Sequence, residues 1–266
     1  MHSFSEAYYR RFSGIARLYG ENSLLKFSTS HVCVIGLGGV GSWAAEALAR
    51  SGIGRLTLID MDDICLTNTN RQIHALHNEI GSQKTEAMAQ RIKLINPECY
   101  VEVIDDFINP ENMVEYLGTK NERHFDYVLD AIDSVKDKAA LIAYCKRNKI
   151  KLITIGGAGG QKDPTQIKIA DLAKTVQDPL AAKVRERLKN QHGLKKDSKG
   201  KYGISCVFST EQLTYPQQDG GVCFDKKQAD GTKKMDCASG FGAITTVTAT
   251  FGFVAVARIL DKLANE

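Results

Sequence analysis

Three glycines at fixed spacing stand between a short apolar run and an alanine-rich segment. Gly36, Gly38 and Gly41 form a G-x-G-x-x-G pattern directly after 31–35, a β-branched run typical of a buried parallel strand. Such glycines let the backbone approach a phosphate, and the N-terminus of the following helix supplies free N–H groups. Asp60 ends the next apolar run, where an acid can accept hydrogen bonds from ribose hydroxyls. These residues predict a nucleotide site, although a packing turn beside a solvated acid would leave the same pattern.

Polar and charged residues further along the chain favour a triphosphate over a dinucleotide. A pyrophosphate leaving group accumulates charge that fixed cations and a metal stabilise, whereas a dinucleotide is bound largely by backbone N–H groups. The segment 67–71 carries Arg71, and Lys84 lies near the start of the next predicted helix. Asp130 closes another predicted strand and Asp133 follows it, at the edge where ligands bind in open α/β sheets and where a carboxylate can hold Mg²⁺. The sequence therefore predicts an ATP site.

Each of these residues also has a simpler interpretation. Arg71 and Lys84, taken singly, are typical of solvated surface charges, and Asp133 could cap the helix expected near residue 135. No G-x-x-x-x-G-K-[ST] motif occurs, which excludes a P-loop ATPase. An NAD-dependent oxidoreductase and an inactive nucleotide-sensing module remain as alternatives.

Alternating strands and helices place these residues in a predicted α/β fold. We expect a Rossmann-like, mostly parallel sheet with helices on both faces, followed by a less regular C-terminal part that ends in an apolar helix. Strands are predicted at 31–35, 55–60, 100–105, 125–130, 150–155 and 166–170, and helices over the first 30 residues and at 42–51, 82–95, 135–147, 179–190 and 238–257.

Composition indicates a soluble protein with reduced thiols. The 266 residues carry a net charge of +4, with 43% apolar and 25% charged residues, as in ordinary globular proteins. Seven cysteines occur without a C-x-x-C pair, so we expect neither structural zinc nor a disulfide framework, and a cytoplasmic location. The segment 238–257 has no charge and could be a membrane span, but its threonines and glycines favour a buried core or interface helix.

The ordered motifs resemble the adenylating ThiF/MoeB/HesA family, which belongs to the superfamily of ubiquitin-activating enzymes. This resemblance implies that 1–266 is a single adenylating domain, with a nucleotide-binding half at 10–160 and a C-terminal half at 161–266. It implies that ATP binds with Arg71 and Lys84 on its phosphates and that Asp133 binds Mg²⁺. It also implies a homodimer in which an N-terminal arginine reaches the partner's site, with Arg11 as the first candidate and Arg17 as the second. The candidate nucleotide-binding residues are Gly36, Gly38, Gly39, Gly41, Asp60, Asp62, Thr67, Asn68, Thr69, Asn70, Arg71, Lys84, Asp133 and Ser134.

The whole-chain arrangement is similar to a branch of this family that acts on RNA. Four segments carry this closer likeness: 67–74, 178–183, 207–211 and 236–242. The segment 183–203 holds eight Lys or Arg residues and two acids, a charge balance that suits contact with a phosphate backbone. A helix and loop that are simply exposed to solvent would have the same composition. The candidate RNA-contacting residues are Lys183, Arg185, Arg187, Lys189, Lys195 and Lys196.

Two substrates remain open for the expected adenylation. The first is a tRNA with a threonylcarbamoyl group on the adenosine beside its anticodon, whose carboxylate would be activated and cyclised with loss of water. The second is the C-terminal carboxylate of a small ubiquitin-like sulfur carrier, with Cys237 as acceptor. The resemblance also implies a cysteine desulfurase as a sulfur-transfer partner. Cys237 precedes an apolar helix, so inert packing explains it equally well.

Overall fold

The computed structural model describes residues 5–119, 122, 124–217, 219–224 and 241–265. A single seven-stranded sheet runs through it in the order β3-β2-β1-β4-β5-β7-β6. Neighbouring strands are parallel except for β6, which is antiparallel to β7. The seven strands are β1 His31–Ile35, β2 Arg55–Ile59, β3 Tyr100–Ile104, β4 Tyr127–Asp130, β5 Leu152–Ile155, β6 Ile167–Asp171 and β7 Ser205–Ser209, and a small separate ladder joins β8 Tyr215–Pro216 to β9 Val222–Cys223.

Helices follow most of the strands. Short 3₁₀ turns occur at Leu66–Asn68, His77–Glu79, Pro164–Gln166 and Leu172–Lys174. The α-helices are α1 Glu6–Tyr19, α2 Glu21–Thr29, α3 Gly41–Arg50, α4 Lys84–Ile95, α5 Met113–Leu117, α6 Val135–Asn148, α7 Pro179–Asn190 and α8 Thr245–Ala264.

Two apolar layers cover the two faces of the sheet. Successive side chains of a strand point to opposite faces, so Val32 and Val34 join the layer that contains residues of α3, α4 and α8. Cys33 and Ile35 join the other layer, with residues of α6 and α7. All five residues of β1 are buried. The structure confirms the predicted Rossmann-like α/β fold with helices on both faces; the prediction of a single domain over 1–266 stays a prediction.

The last helix differs from its sequence prediction. α8 begins at Thr245, and it continues to Ala264 beyond the expected end at residue 257. Ile244, within the segment predicted as a buried helix, precedes the helix and is 46% exposed. The buried face is made by Thr248, Phe251 and Ala255 and extends to Leu263, whereas Asp261 and Lys262 are exposed on the outer side. Among the helices of the described segments, none is long and apolar enough to cross a membrane.

Candidate active site

The loops after β1 and β4 meet at the point where the strand order reverses. The chain leaves β1 towards β2 on one side, while β4 lies on the other, and such a switch point opens a crevice at the carboxyl ends of the strands. Gly36 has a φ of +86° and donates its N–H to Ile59 O at 2.9 Å. A Cβ added to Gly36 would lie 2.9 Å from Ala131 O, so the two loops are in direct contact.

Asp60 holds the glycine loop in place. Its Oδ2 accepts the N–H of Leu37 at 2.5 Å, and its Oδ1 accepts the N–H of Asp62 at 2.9 Å. The side chain is buried, and this burial raises the pKa of Asp60 against the lowering effect of the Lys84 charge. The sequence correctly places this acid beside the loop, and the structure adds its contact with the backbone of residue 37.

Lys84 is brought to two of the predicted site acids. It is the first residue of α4, is 5% exposed, and its Nζ lies 2.6 Å from Asp62 Oδ2 and 3.9 Å from Asp60 Oδ1. The Lys84 N–H donates to Asp62 O at 3.1 Å, which fixes the start of the helix. An ammonium group has three protons to donate, so Asp62 engages only part of its capacity.

Arg71 lies over the glycine loop. A Cβ added to Gly39 would meet Arg71 Cγ at 3.1 Å and Cδ at 3.3 Å, so the stem of the arginine packs on the loop. Its Nη1 donates to Thr67 O at 2.8 Å and to Asn70 Oδ1 at 3.0 Å. Asn68 accepts the N–H of Cys65 at 3.1 Å and so shapes the 3₁₀ turn that precedes the arginine. The structure therefore joins 67–71 to the loop, as the sequence predicts.

The start of α8 anchors this arginine segment, which sequence reasoning missed. The Thr245 N–H donates to Asn70 O at 3.1 Å, and Asn70 Nδ2 donates to Ala243 O at 2.8 Å. Trp43 Nε1 in α3 donates to Arg71 O at 3.0 Å. The apolar C-terminal helix thus supports the site as well as the core, and an apolar pattern alone could not reveal these polar contacts at its first turn.

The two acids at the carboxyl end of β4 have different roles. Asp130 is fully buried, and its carboxylate accepts from Lys138 Nζ at 2.9 Å and from Thr154 Oγ1 at 2.6 Å. Asp133 is exposed, and among the described residues it has neither an ion pair nor a hydrogen bond of its side chain. The cap of α6 is Ser134, so the interpretation of Asp133 as a helix cap is wrong. Of the two carboxylates expected at this edge, Asp133 alone is available to a ligand.

Lys138 fixes the loop that carries Asp133. Its buried ammonium group also donates to the carbonyl oxygens of Asp130 at 3.2 Å and Ile132 at 2.9 Å. We expect Lys138→Met to lower the free energy of unfolding by about 3–5 kcal/mol, because Asp130 would stay buried without its counter-charge. The double variant Asp130→Asn with Lys138→Met should recover part of this loss. Urea unfolding measures both, and a double variant no more stable than Lys138→Met would contradict the pairing.

His74 is a site residue that its residue type did not reveal. It is 2% exposed, and its Nε2 lies 2.9 Å from Leu37 O. Because Asp60 accepts the N–H of Leu37, the two side chains hold residue 37 from both sides. Burial lowers the pKa of His74 to about 4, so the ring is neutral near pH 7 and Nε2 carries the donated proton. The segment 67–74 was singled out in the sequence, but no periodicity distinguishes a loop-holding histidine.

Two buried histidines should make stability depend on pH. Burial also lowers the pKa of His31, which bonds Thr57 Oγ1 at 2.8 Å, to about 4. The unfolded chain takes up these protons near pH 6.5, so stability falls as pH drops from about 6.5 to about 4, by at most about 1.4 kcal/mol per pH unit for each histidine. The raised pKa of Asp60 acts with the opposite sign. Urea unfolding between about pH 5 and about pH 7 should show a smaller slope for His74→Gln; an unchanged slope would contradict this assignment.

The predicted RNA-contacting residues fall into two groups. Arg185 is half-buried and donates to Leu172 O at 3.4 Å and to the hydroxyl and carbonyl of Thr175, so it ties α7 to the turn before it. Arg187 is also half-buried. Tyr202, within the segment 183–203, and Phe208, shortly after it, are buried and offer no stacking surface. The exposed members are Lys183, Lys189, Lys195 and Lys196.

The remaining candidates are not joined to the crevice. Arg11 is exposed on α1, where its Nη1 donates to Ala7 O at 3.4 Å, and Arg17 is exposed on the same helix. Their expected role in a partner's site stays a prediction. Cys237 lies outside the described residues. Within the described ranges, no group of three His, Cys, Asp or Glu side chains could hold a metal.

The crevice and its acids define an adenylating enzyme of a known class. The chain belongs to the ThiF family, whose model matches residues 9–266. A tRNA threonylcarbamoyladenosine dehydratase from Escherichia coli (strain K12) is 65% identical over 259 residues, covering 97% of this chain and 95% of that relative. The enzyme of that name from Bacillus subtilis (strain 168) is 42% identical over 200 residues, covering 75% and 74%. The crystal structure of E. coli TcdA in complex with ATP has a TM-score of 0.87 and 59% identity, covering 98% of this chain and 97% of that one.

Proposed function

We propose that this protein catalyses the ATP-dependent dehydration of threonylcarbamoyladenosine in tRNA. The observation that carries this proposal is the 65% identity to a dehydratase of that name across nearly the whole of both chains. The site supports it, because the predicted glycine, acid, arginine and lysine motifs converge on one crevice. The chemistry is the activation of a carboxylate by transfer of AMP.

ATP lies in the crevice with its phosphates towards the glycine loop. Gly38 has no heavy atom within 4 Å of an added Cβ, so a phosphate can approach the backbone there. Arg71, whose stem packs on Gly39, and Lys84, buried at the start of α4, supply the fixed cations. Asp60 accepts hydrogen bonds from the ribose hydroxyls as well as from the Leu37 N–H, since a carboxylate has about four acceptor sites. The other motif members, Asn68, Asn70 and Ser134, shape the loops around this ligand.

Magnesium fits one position at the edge of this site. Mg²⁺ is usually held in proteins by one or two carboxylates together with substrate phosphates. Asp133 suits this need, since it is exposed at the end of β4 and unpaired within the described segments. When bound, the metal would neutralise charge that develops on the phosphates. Lys138 contributes by fixing the loop that presents Asp133.

Adenylation makes a poor electrophile reactive. The threonyl carboxylate attacks the α-phosphorus of ATP, the bond to the β-phosphate oxygen breaks, and pyrophosphate leaves. Arg71 and Lys84 stabilise the charge that develops on the phosphate oxygens. The neighbouring carbamoyl group then attacks the acyl carbonyl, and AMP leaves with one carboxylate oxygen, so the ring closes with net loss of water. No enzyme nucleophile is needed, because the attacking group is held at high effective concentration.

The exposed lysines of α7 and of the loop after it bind the tRNA backbone. Lys183, Lys189, Lys195 and Lys196 form this surface, while Arg185 ties the helix to the turn before it and Arg187 is half-buried. The protein acts in the cytoplasm as a homodimer, with Arg11 of one protomer directed to the other's phosphates. A cysteine desulfurase as a partner stays a prediction.

One assay separates this reaction from sulfur-carrier activation. Modified tRNA, ATP and Mg²⁺ are incubated with the enzyme, and the nucleosides are weighed by mass spectrometry after digestion. We expect one water to be lost per threonylcarbamoyladenosine, with AMP and pyrophosphate released. Cys237→Ala should retain this activity, whereas activation of a sulfur carrier would require the cysteine. No loss of mass with the wild-type enzyme would refute the proposed function.

A further inference from the structure

A second cavity lies next to the crevice, at the carboxyl end of β5. It has a volume of about 330 Å³, the small end of the range of ligand sites, between the start of α7 and the segment after β7. Asp178 caps α7 and accepts the N–H of Gly157 at 3.0 Å, which ties the cavity wall to the loop after β5. Because β5 adjoins β4, this cavity neighbours the loop that carries Asp133.

The lining combines aromatic rings with primary amides. Phe224 contributes an exposed ring, Tyr215 contributes a buried ring that packs on Phe241, and Gln177 and Gln212 contribute side-chain amides. Tyr215 lies in β8, and Phe224 directly follows β9. Phe224 is 61% exposed, so its ring is accessible to a ligand.

The carboxylate of Asp178 in the lining makes a phosphate an unfavourable occupant. The guanidinium group of Arg185 already donates to protein oxygens of residues 172 and 175. The carboxylate of Asp178 stands on the same wall, where it would repel an anion. The lining suits a flat, neutral, polar ligand, whose face stacks on an aromatic ring and whose edge forms hydrogen bonds with amides.

We propose that this cavity binds the target adenine base, turned out of the tRNA anticodon loop. This inference rests on the proposed function and names the part of the substrate that the enzyme holds. Sequence-specific RNA recognition commonly splays bases out, stacks them on aromatic rings and bonds their edges. An enzyme that modifies a base also has to expose it to the reactive group. The position beside β4 lets the base lie here while its carboxylate reaches the crevice.

The basic surface on α7 continues away from this cavity. Ala182 and Arg185 line the cavity, and Lys183 and Lys189 are exposed on the same helix. These lysines are placed to contact the phosphates that flank the extruded nucleotide. In this arrangement the exposed lysines of the helix would contact the backbone, and the cavity at its start would hold the base.

The test uses an anticodon stem–loop that carries threonylcarbamoyladenosine. Phe224→Ala removes an exposed ring, so it should fold normally, and Gln212→Ala removes an amide. We expect Phe224→Ala to raise the KM and the Kd for the stem–loop by about five- to a hundredfold, as loss of one stacked base predicts. The KM for ATP should stay unchanged, and Phe224→Trp should restore binding. Tyr100→Ala, an exposed ring at the amino end of β3, serves as the control.

The outcomes distinguish this inference from the proposed function. If wild-type enzyme dehydrates the stem–loop and Phe224→Ala and Gln212→Ala bind it normally, the base site is refuted and the proposed function stands. If the wild type shows no dehydration, fluorescence anisotropy still measures binding of the stem–loop. Weaker binding by Phe224→Ala alone among the ring variants would then support the base site, and equal binding by all would overturn it.

Discussion

Replacing Arg71 with alanine should lower kcat/KM for dehydration by about a hundred- to a thousandfold. A fixed donor aimed at developing transition-state charge is commonly worth this much, and Arg71 lies on the glycine loop with its guanidinium group held by Thr67 and Asn70. Arg71→Lys should recover only part of the loss, because an ammonium group lacks the planar fork of a guanidinium group. Steady-state kinetics with modified tRNA measure both variants.

Arg55 provides the matched control for this experiment. It is an exposed arginine at the first residue of β2, on the amino edge of the sheet, and pairs with Glu102 at 3.5 Å. We expect Arg55→Ala to keep wild-type kinetics. Pyrophosphate exchange adds a second measurement, since Arg71→Ala should slow exchange as well as dehydration. Wild-type exchange by Arg71→Ala would remove this arginine from the adenylation step.

The central fold follows from local sequence signals. β1 and β2 are short runs that contain β-branched residues, and the glycines between them mark turns, so the predicted boundaries fall within one or two residues of those observed. β7 was missed, because Ser205–Ser209 follows a long polar loop and pairs with strands far apart in the chain. Its place between β5 and β6 depends on tertiary pairing, which no local pattern encodes.

The sequence predicts those site residues that belong to motifs. It does not predict those whose positions depend on tertiary contacts. Asp60 could be placed because it directly follows β2 at the carboxyl edge of the sheet, and Lys84 because it begins the helix after that strand. The partner of Asp130 could not, because Lys138 is an ordinary helical lysine in the sequence and only folding directs its ammonium group under the loop. Arg185 was predicted to contact RNA, but it donates to a backbone oxygen of the protein. A run of basic residues in the sequence does not reveal which of them turns inward.

Replacing Gly41 with alanine should damage both the fold and the nucleotide site. Alanine favours a helix over glycine by about 1 kcal/mol, and Gly41 begins α3, so propensity alone predicts stabilisation. A steric clash outweighs this gain in helix propensity, because an added Cβ would lie 1.7 Å from Gly36 O, a backbone atom of the loop. We expect a loss of about 1–3 kcal/mol in stability. The displaced loop should also cost about a hundredfold in kcat/KM, as small misplacements of reacting groups do.

Gly38→Ala is the matched substitution three residues earlier. No heavy atom lies within 4 Å of its added Cβ, so stability should stay within about 0.5 kcal/mol of the wild type. ATP should nevertheless bind more weakly, because the new methyl group occupies the side from which a phosphate approaches the backbone. Thermal unfolding and calorimetric ATP titration separate the two effects. Wild-type ATP affinity in Gly38→Ala would mean that the phosphates lie elsewhere, and a stable Gly41→Ala would mean that the loop can move aside without cost.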